Sequence, residues 1–327
     1  MDISVIIVNY RAWRALDECL ASLQAIDSKV LTFEVIVVDN FSNDGLHIVF
    51  QKKYHDFKFI ANSGNNGFSN GCNFGASKAT GKYLLFLNPD TTITQSTLEK
   101  LLEISISNQS IGILSCLQFN ENNIFYKQNN LFPALGRFFG ISRIFYRKFY
   151  KKTLSERFDN QLDLFYPDWV TGALIFISKN WFEKINGWNE DYWLYYEDVD
   201  ICKKIIKIGG QIAVTKKTAI FHKHGGASRI NIKTKALTKT EVIISRHVYV
   251  KNHFSKSQQI IIQSMLIVNV LTGKLVLSLL SLFLFFIPKL KVNQLIIKNL
   301  IVYYLNAIKT KKWTSPRSMN NRQKGHF

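Results

Sequence analysis

A chain of 327 residues, 47% of them hydrophobic and 25 of them Phe, can bury a sizeable core and suits one large domain with an appendage, or two domains. Its four cysteines, Cys19, Cys72, Cys116 and Cys202, have neither disulfide nor metal-ligand spacing, which excludes a disulfide framework and reads as reduced, packed thiols. The formal net charge of +19 is uneven: residues 201–327 hold 23 Lys and Arg against one acid, Glu241, so an anionic partner is expected there, nucleic acid or membrane.

No N-terminal leader is expected, because Asp2 is charged and the apolar run at 5–8 is far shorter than a signal segment. Residues 4–8 read as a buried strand, followed by Asn9, Tyr10 and Arg11. A helix follows, with Trp13, Leu16, Leu20 and Leu23 on one face. A second strand at 34–38 ends in Asp39 and Asn40, and a third covers 57–60. Asn65-Asn66-Gly67-Phe68 then leads into a helix of small residues over 70–79. Residues 84–87 are wholly apolar, as in a strand covered on both faces, and stop at Asn88-Pro89-Asp90. Proline fixes its own φ and holds Asn88 extended, which leaves the Asp90 carboxylate at the strand's carboxyl end.

Strands alternating with helices predict an α/β fold with a mainly parallel central sheet. In such a sheet Asn9, Asp39, Asn88 and Asp90 share the edge where ligands bind. For the Asn-Pro-Asp segment alone, an ordinary turn capping a helix near 95–107 is the plainer alternative. The convergence of three strand ends weighs against it. Neither Gly-x-Gly-x-x-Gly nor Gly-x-x-x-x-Gly-Lys is present after the first strand, so phosphates need another holder. A hard cation such as Mg²⁺ or Mn²⁺ on Asp90 is the natural one.

Residues 118–166 break the alternation. Phe138, Ile141, Phe145 and Phe149 share one helical face, with Arg143, Arg147 and Lys148 largely elsewhere. This is a basic amphipathic element suited to a membrane or lipid diphosphate, or a solvated insertion with one packed face. Residues 168–177, with Trp169 near their start, read as a strand containing Gly172, a sign of close approach by a ligand or another backbone. The aromatic run from Tyr192 to Tyr196 leads into a helix at 199–208, and Glu197, Asp198 and Asp200 crowd its start. Acids are favoured at helix N-termini for structural reasons. A sugar-binding wall beside a carboxylate base explains the aromatics as well. His222 and His224 follow a short strand, where one of them suits a metal.

From 257 to 288 the only charge is Lys274, and residues 275–287 are apolar apart from two serines. That stretch is short of the ~20 residues a spanning helix needs, so an in-plane or re-entrant anchor is favoured over a span or a packed helix pair. Lys289, Lys291, Lys298, Lys309, Lys311 and Lys312 flank it and suit anionic headgroups, which argues for membrane and against nucleic acid. The last dozen residues are expected to be disordered.

Taken in order, Val5-Ile-Ile-Val-Asn-Tyr, Val35-Ile-Val-Val-Asp-Asn-Phe-Ser, Asn66-Gly-Phe-Ser-Asn-Gly-Cys-Asn-Phe-Gly, Phe86-Leu-Asn-Pro-Asp, Thr171-Gly-Ala, Tyr196-Glu-Asp-Val-Asp and the His222 segment resemble inverting family 2 glycosyltransferases of the GT-A fold. The rhamnosyltransferase-like branch is the most similar, and the resemblance spans roughly residues 3–250. It implies a transferase domain at 1–250 and a basic, hydrophobic, membrane-associated helical tail at 251–327. Asn9, Tyr10, Asp39, Asn66 and Asn88 would line the nucleotide pocket. Asp90 would bind the metal at a variant Asp-x-Asp whose first acid is Asn88, and His222 would complete the shell. Asp198 would be the catalytic base, with Trp169, Gly172 and Glu197 toward the acceptor sugar. The implied partners are a nucleotide-sugar donor such as dTDP-rhamnose, a lipid-linked or polysaccharide acceptor, and the cytoplasmic face of the cell membrane. A sugar-1-phosphate nucleotidyltransferase and a non-catalytic nucleotide-sugar- or glycan-binding homologue are the rivals.

Overall fold

The computed structural model describes residues 1–27, 31–134, 137–138, 140–158, 162–223, 231–284 and 288–322. In chain order the elements are β1 (Ile3–Asn9), α1 (Trp13–Gln24), β2 (Phe33–Asp39), α2 (Leu46–Lys53), β3 (Lys58–Ala61), α3 (Phe68–Ala76), β4 (Tyr83–Leu87), β5 (Thr91–Thr92), α4 (Gln95–Ser107), β6 (Ile111–Phe119), α5 (Gly140–Phe149), α6 (Lys151–Phe158), β7 (Leu164–Phe165), β8 (Leu174–Ser178), α7 (Lys179–Lys184), α8 (Glu197–Lys207) and β9 (Gln211–His222). Four helices follow: α9 (Ile232–His253), α10 (Lys256–Phe283), α11 (Pro288–Thr310) and α12 (Met319–Arg322). The contacts divide the chain into two units. The first comprises Met1–Asn65, Gly71–Asn189 and Asp198–His224; the second comprises Asn66–Asn70, Glu190–Glu197 and Gly225–Phe327.

In the first unit the strands form one sheet in the order β3-β2-β1-β4-β8-β6-β9-β5, with β7 pairing β9. β3, β2, β1 and β4 are parallel, as alternation with helices predicts. β8 runs antiparallel between β4 and β6, and β5 and β7 run antiparallel to β9. β6 and β9 are again parallel, so the sheet is mixed, with long parallel pairings, and not purely parallel. The reversal has a local cause: β8 is entered from the 118–166 insertion, not from a crossover helix. Gly172 accordingly lies in the turn before β8, not within a strand.

Burial follows the apolar pattern. β1 is buried along its whole length, and α1 packs Trp13, Leu16, Cys19, Leu20 and Leu23 inward. The small residues of α3 let it lie directly on β1. A Cβ at Gly71 would come within 2.7 Å of the Val8 side chain, and one at Gly75 within 2.5 Å of Ile6. Thr94 caps α4 by accepting the Thr97 N–H.

The second unit is built on α9, α10 and α11, which pack on one another. Val292, Ile296, Leu300, Tyr303, Tyr304 and Ala307 of α11 are buried. α10 is one helix of 28 residues, about 42 Å long, and includes the apolar run from 275 to 283. Lys274, which interrupts the apolar run in the sequence, donates to Asn293 Oδ1 at 2.9 Å, so its charge is placed without breaking the helix. By length and composition α10 is long and apolar enough to cross a membrane. Much of its apolar surface is outward: Ile260, Val268, Val276, Leu279, Leu282 and Phe283 are exposed. The expected disorder of the last dozen residues does not hold for 316–322. Ser315 and Ser318 are fully buried, because the side chain of Glu241 and the backbone of the preceding turn supply their hydrogen bonds.

Candidate active site

The carboxyl edge of the parallel strands gathers the polar residues that end them. Register places Asn9 opposite Asp39 and Asp39 opposite Ala61. The Asn40 N–H donates to the Asn9 carbonyl at 2.8 Å, and the Asn62 N–H to the Asp39 carbonyl at 2.9 Å. Asp39 Oδ1 accepts the Ser42 N–H at 3.2 Å. The loop after β1 is tied to the loop after β2: the Arg11 N–H donates to Ser42 Oγ at 2.9 Å and Trp13 Nε1 to Asp44 at 2.7 Å. Asn9 is fully buried. Its Oδ1 accepts the Ala12 N–H at 3.1 Å, while its Nδ2 has no hydrogen-bond partner among the described residues. Buried amide groups are rarely left so, and an unfilled donor at a strand edge suits a ligand. Tyr10 stands 41% exposed at the rim with the Arg11 guanidinium over its ring.

Asp90 and His222 meet because β5 turns back beside the end of β9, pairing Thr91 with His222. The Asn88 N–H donates to the Ala173 carbonyl at 3.0 Å, which joins the end of β4 to the start of β8. His222 Nε2 lies 3.4 Å from Asp90 Oδ1. Its Nδ1 lies 3.1 Å from Gln118 Oε1. Gln118 Nε2 donates to Thr171 Oγ1 at 3.0 Å, which turns the amide oxygen toward the histidine. An amide oxygen can only accept, so in this arrangement Nδ1 carries a proton. Nε2 faces a carboxylate, which also accepts. A cation between the two, a proton on Nε2 or a metal, would satisfy both. Asp90 and His222 fit a divalent ion by this test, although no cluster of three or more His, Cys, Asp or Glu occurs among the described residues. His224 lies outside the described residues.

Asp198 sits on the first turn of α8 and is half-buried. Its Oδ2 accepts the Gly172 N–H at 3.2 Å and its Oδ1 the Val199 N–H at 2.9 Å. Desolvation by the surrounding protein pushes its carboxyl up to about 6, against the pull of those N–H groups. The dipeptide Thr171-Gly172 thus touches both clusters, Thr171 through Gln118 and His222, Gly172 through Asp198. Trp169 is half-buried, with its Nε1 donating to the Leu131 carbonyl at 3.2 Å.

Nine of the expected site residues, Asn9, Tyr10, Asp39, Asn88, Asp90, Trp169, Gly172, Asp198 and His222, fall in the first unit; Asn66 and Glu197 belong to the second and are both buried. Gln118 and Thr171 are site neighbours that residue type alone did not single out. The available signal is a Gln near the end of the mostly apolar strand β6. A pocket of about 350 Å³, lined by Ile104, Leu162, Asp163, Leu164, Tyr166, Thr215 and Lys217, contains none of these residues.

Comparison with known proteins follows the same outline. A mannosyltransferase, PcManGT from Pyrobaculum calidifontis, solved with GDP-Man and Mn²⁺, superposes with a TM-score of 0.54 at 15% identity, covering 78% of this chain and 65% of that one. The likeness shows the fold, an α/β fold of GT-A type with a mixed sheet. The low-salt glycan biosynthesis hexosyltransferase Agl10 of Haloferax volcanii is 28% identical over 210 residues, 62% of this chain and 60% of its own length. The rhamnosyltransferase WbbL of Escherichia coli K12 is 24% identical over 220 residues, 63% of this chain and 77% of WbbL. Residues 152–225 match a domain described as the N-terminal domain of galactosyltransferase. Residues 4–179, more than half of the chain, match glycosyl transferase family 2, and the chain belongs to that family, with a rhamnosyltransferase-like character.

Proposed function

We propose that the protein transfers a sugar from a nucleoside-diphosphate donor, dTDP-rhamnose being the first to test, to a lipid-linked or polysaccharide acceptor in cell-surface glycan assembly, with inversion. The observation that carries this is the pair of linked clusters, Asp90–His222–Gln118–Thr171 and Gly172–Asp198. The first cluster is tied to Thr171 and the second to Gly172, adjacent residues of one turn, which supports reading them as a candidate cation site and a candidate base of one reaction.

Asp198 takes the proton from the acceptor hydroxyl as that oxygen bonds to the anomeric carbon. The bond from that carbon to the diphosphate oxygen breaks, and the nucleoside diphosphate leaves. A base works best with a pKa near the operating pH, and a carboxyl raised to about 6 is better matched than an ordinary aspartate. Asp39 would hold the base or ribose, and Asn9, Tyr10, Asn66 and Asn88 would line the nucleotide pocket. Asp90 and His222 would hold Mg²⁺ or Mn²⁺, which neutralises charge on the leaving diphosphate. Trp169, Gly172 and Glu197 would face the acceptor.

Residues 1–250 would form the transferase domain and 251–327 the tail that docks on the anionic, cytoplasmic face of the cell membrane. The exposed apolar face of α10 and the Lys-rich ends of α11 support this docking. Phe145 and Phe149 on α5, 56% and 79% exposed, support a second point of contact.

A panel of dTDP- and UDP-sugars, each with Mn²⁺ or Mg²⁺, tests the proposal by thermal shift and by release of nucleoside diphosphate. One donor should raise the melting temperature and be turned over when a lipid-linked acceptor is added, and EDTA should abolish both. Protein that no donor stabilises would overturn it. Binding without turnover would favour the non-catalytic homologue.

A further inference from the structure

The segment that follows α11 crosses the loop at 190–197, and that loop leads directly into Asp198. Within the second unit the loop is held at Asp191, Trp193 and Leu194. The Asp191 carbonyl accepts the Ser315 N–H at 3.1 Å. The Asp191 carboxylate accepts Asn320 Nδ2 at 3.1 Å and Lys251 Nζ at 3.4 Å. The Arg317 guanidinium lies 5.8 Å from the centre of the Trp193 ring. The Trp193 carbonyl accepts the Phe68 N–H at 2.9 Å, at a point where a Cβ on Gly67 would come within 2.5 Å of that oxygen. The Leu194 carbonyl accepts Ser245 Oγ at 2.9 Å.

The loop needs this support. Tyr195 and Tyr196 both have left-handed backbone, φ 71° and 66°, which bulky side chains adopt only where surroundings impose it. Two such residues in succession, immediately before Glu197 and Asp198, would relax if released. The crossing segment is itself anchored, not merely laid down. Arg317 Nη1 bonds Glu241 at 3.0 Å and Ser315 Oγ bonds the same carboxylate at 2.9 Å, and Glu241 is fully buried. The Trp313 ring stacks on His247, with centroids 5.3 Å apart.

We propose that residues 313–322 are a brace for the aromatic loop, and that Arg317 and Asn320 are positioning residues that keep the strained turn, and so the carboxylate following it, in the form used for transfer. The brace acts on the turn that runs directly into Asp198, not on the donor pocket. Its functional arm rests on the transfer reaction proposed above.

The test uses the full chain. Arg317→Ala would leave Glu241 buried without its cation and risks unfolding. Arg317→Lys keeps a charge there but loses the flat guanidinium over Trp193, and Asn320→Ala removes one bond to Asp191. In the double variant, amide exchange in 190–197 is expected to rise about tenfold while α9 to α11 keep their protection. Transfer kcat should fall about tenfold with the KM for donor unchanged, and Arg317→Lys alone should fall less. Unchanged exchange in the loop overturns the brace. Faster exchange with unchanged kcat overturns the positioning role and leaves only a structural contact. Wild-type protein that turns over no nucleotide sugar overturns the transferase proposal, not the brace, which the exchange measurement then upholds or rejects alone.

Discussion

Two histidines are held in the same way and differ in what meets their far nitrogen. His222 places Nδ1 against Gln118 Oε1, and His247 places Nδ1 against Gln263 Oε1. Beyond that the regions part. His247 Nε2 meets the Tyr304 hydroxyl at 3.0 Å, a group that can donate. Burial holds this imidazole down at about 4, so it is neutral and its neighbours already complete its hydrogen bonds. His222 Nε2 meets the Asp90 carboxylate, which can only accept. A buried polar cluster closed by neutral groups is packing; one that sets an imidazole against a carboxylate can hold a cation, a proton or a metal, between them. The surroundings, not the residue type, distinguish the two.

The sharpest contrast comes from Asp198→Asn. It removes the proposed base and leaves the donor edge untouched, so transfer should fall by about 10²- to 10⁴-fold while donor binding persists. In the wild type, transfer should also fall as pH drops below about 6, because the carboxyl must be ionised to accept the proton. A variant with full activity would move the base elsewhere.

The paired glutamines separate the two histidine sites directly. Gln118→Leu removes the group that fixes the His222 tautomer, and loss of such a support typically weakens metal binding about 10- to 100-fold. Mn²⁺ titration followed by paramagnetic resonance reads this without any turnover. Gln263→Leu should leave Mn²⁺ binding unchanged and instead destabilise the fold by about 1–3 kcal/mol, because His247 and its carbonyl lose buried partners. Equal effects of the two changes on Mn²⁺ would dissolve the distinction between the clusters.

The sequence made the strand ends legible and their partners much less so. The apolar runs at 4–8, 34–38 and 84–87 announce buried strands, and whatever polar residue ends them must sit at an edge; Asn9, Asp39 and Asp90 follow. The antiparallel entry of β8 depends on where a long insertion returns, which no periodicity encodes. Gln118 was hidden because a single Gln in an apolar strand says nothing of a partner 104 residues away. The ordered C-terminal segment was missed for a related reason. Its Ser, Asn and Arg look like solvated residues until Glu241, Asp191 and Trp193 supply long-range partners.

The smallest expected effect is on the stability of Asp198→Asn, and two terms oppose each other there. The folded state raises the Asp198 pKa from 3.8 to about 6, so it binds the proton more tightly than the unfolded chain does. That contribution favours folding below pH 3.8 and is lost as pH rises through about 6. Above it, holding the carboxylate ionised costs up to about 3 kcal/mol, and less in practice because solvent reaches this half-buried group. Asn removes the charge and recovers this term. However, Gly172 and Val199 donate to different oxygens, and an amide has only one. One N–H must lose its bond, which costs about 1–3 kcal/mol. At pH 7.5 the melting temperature should therefore shift by only a few degrees, and at pH 4, where the wild-type carboxyl is itself protonated and has one carbonyl oxygen like the amide, the two proteins should differ still less. A large loss at pH 7.5 would instead mark Asp198 as a structural acceptor and place it with the complete clusters of the second unit.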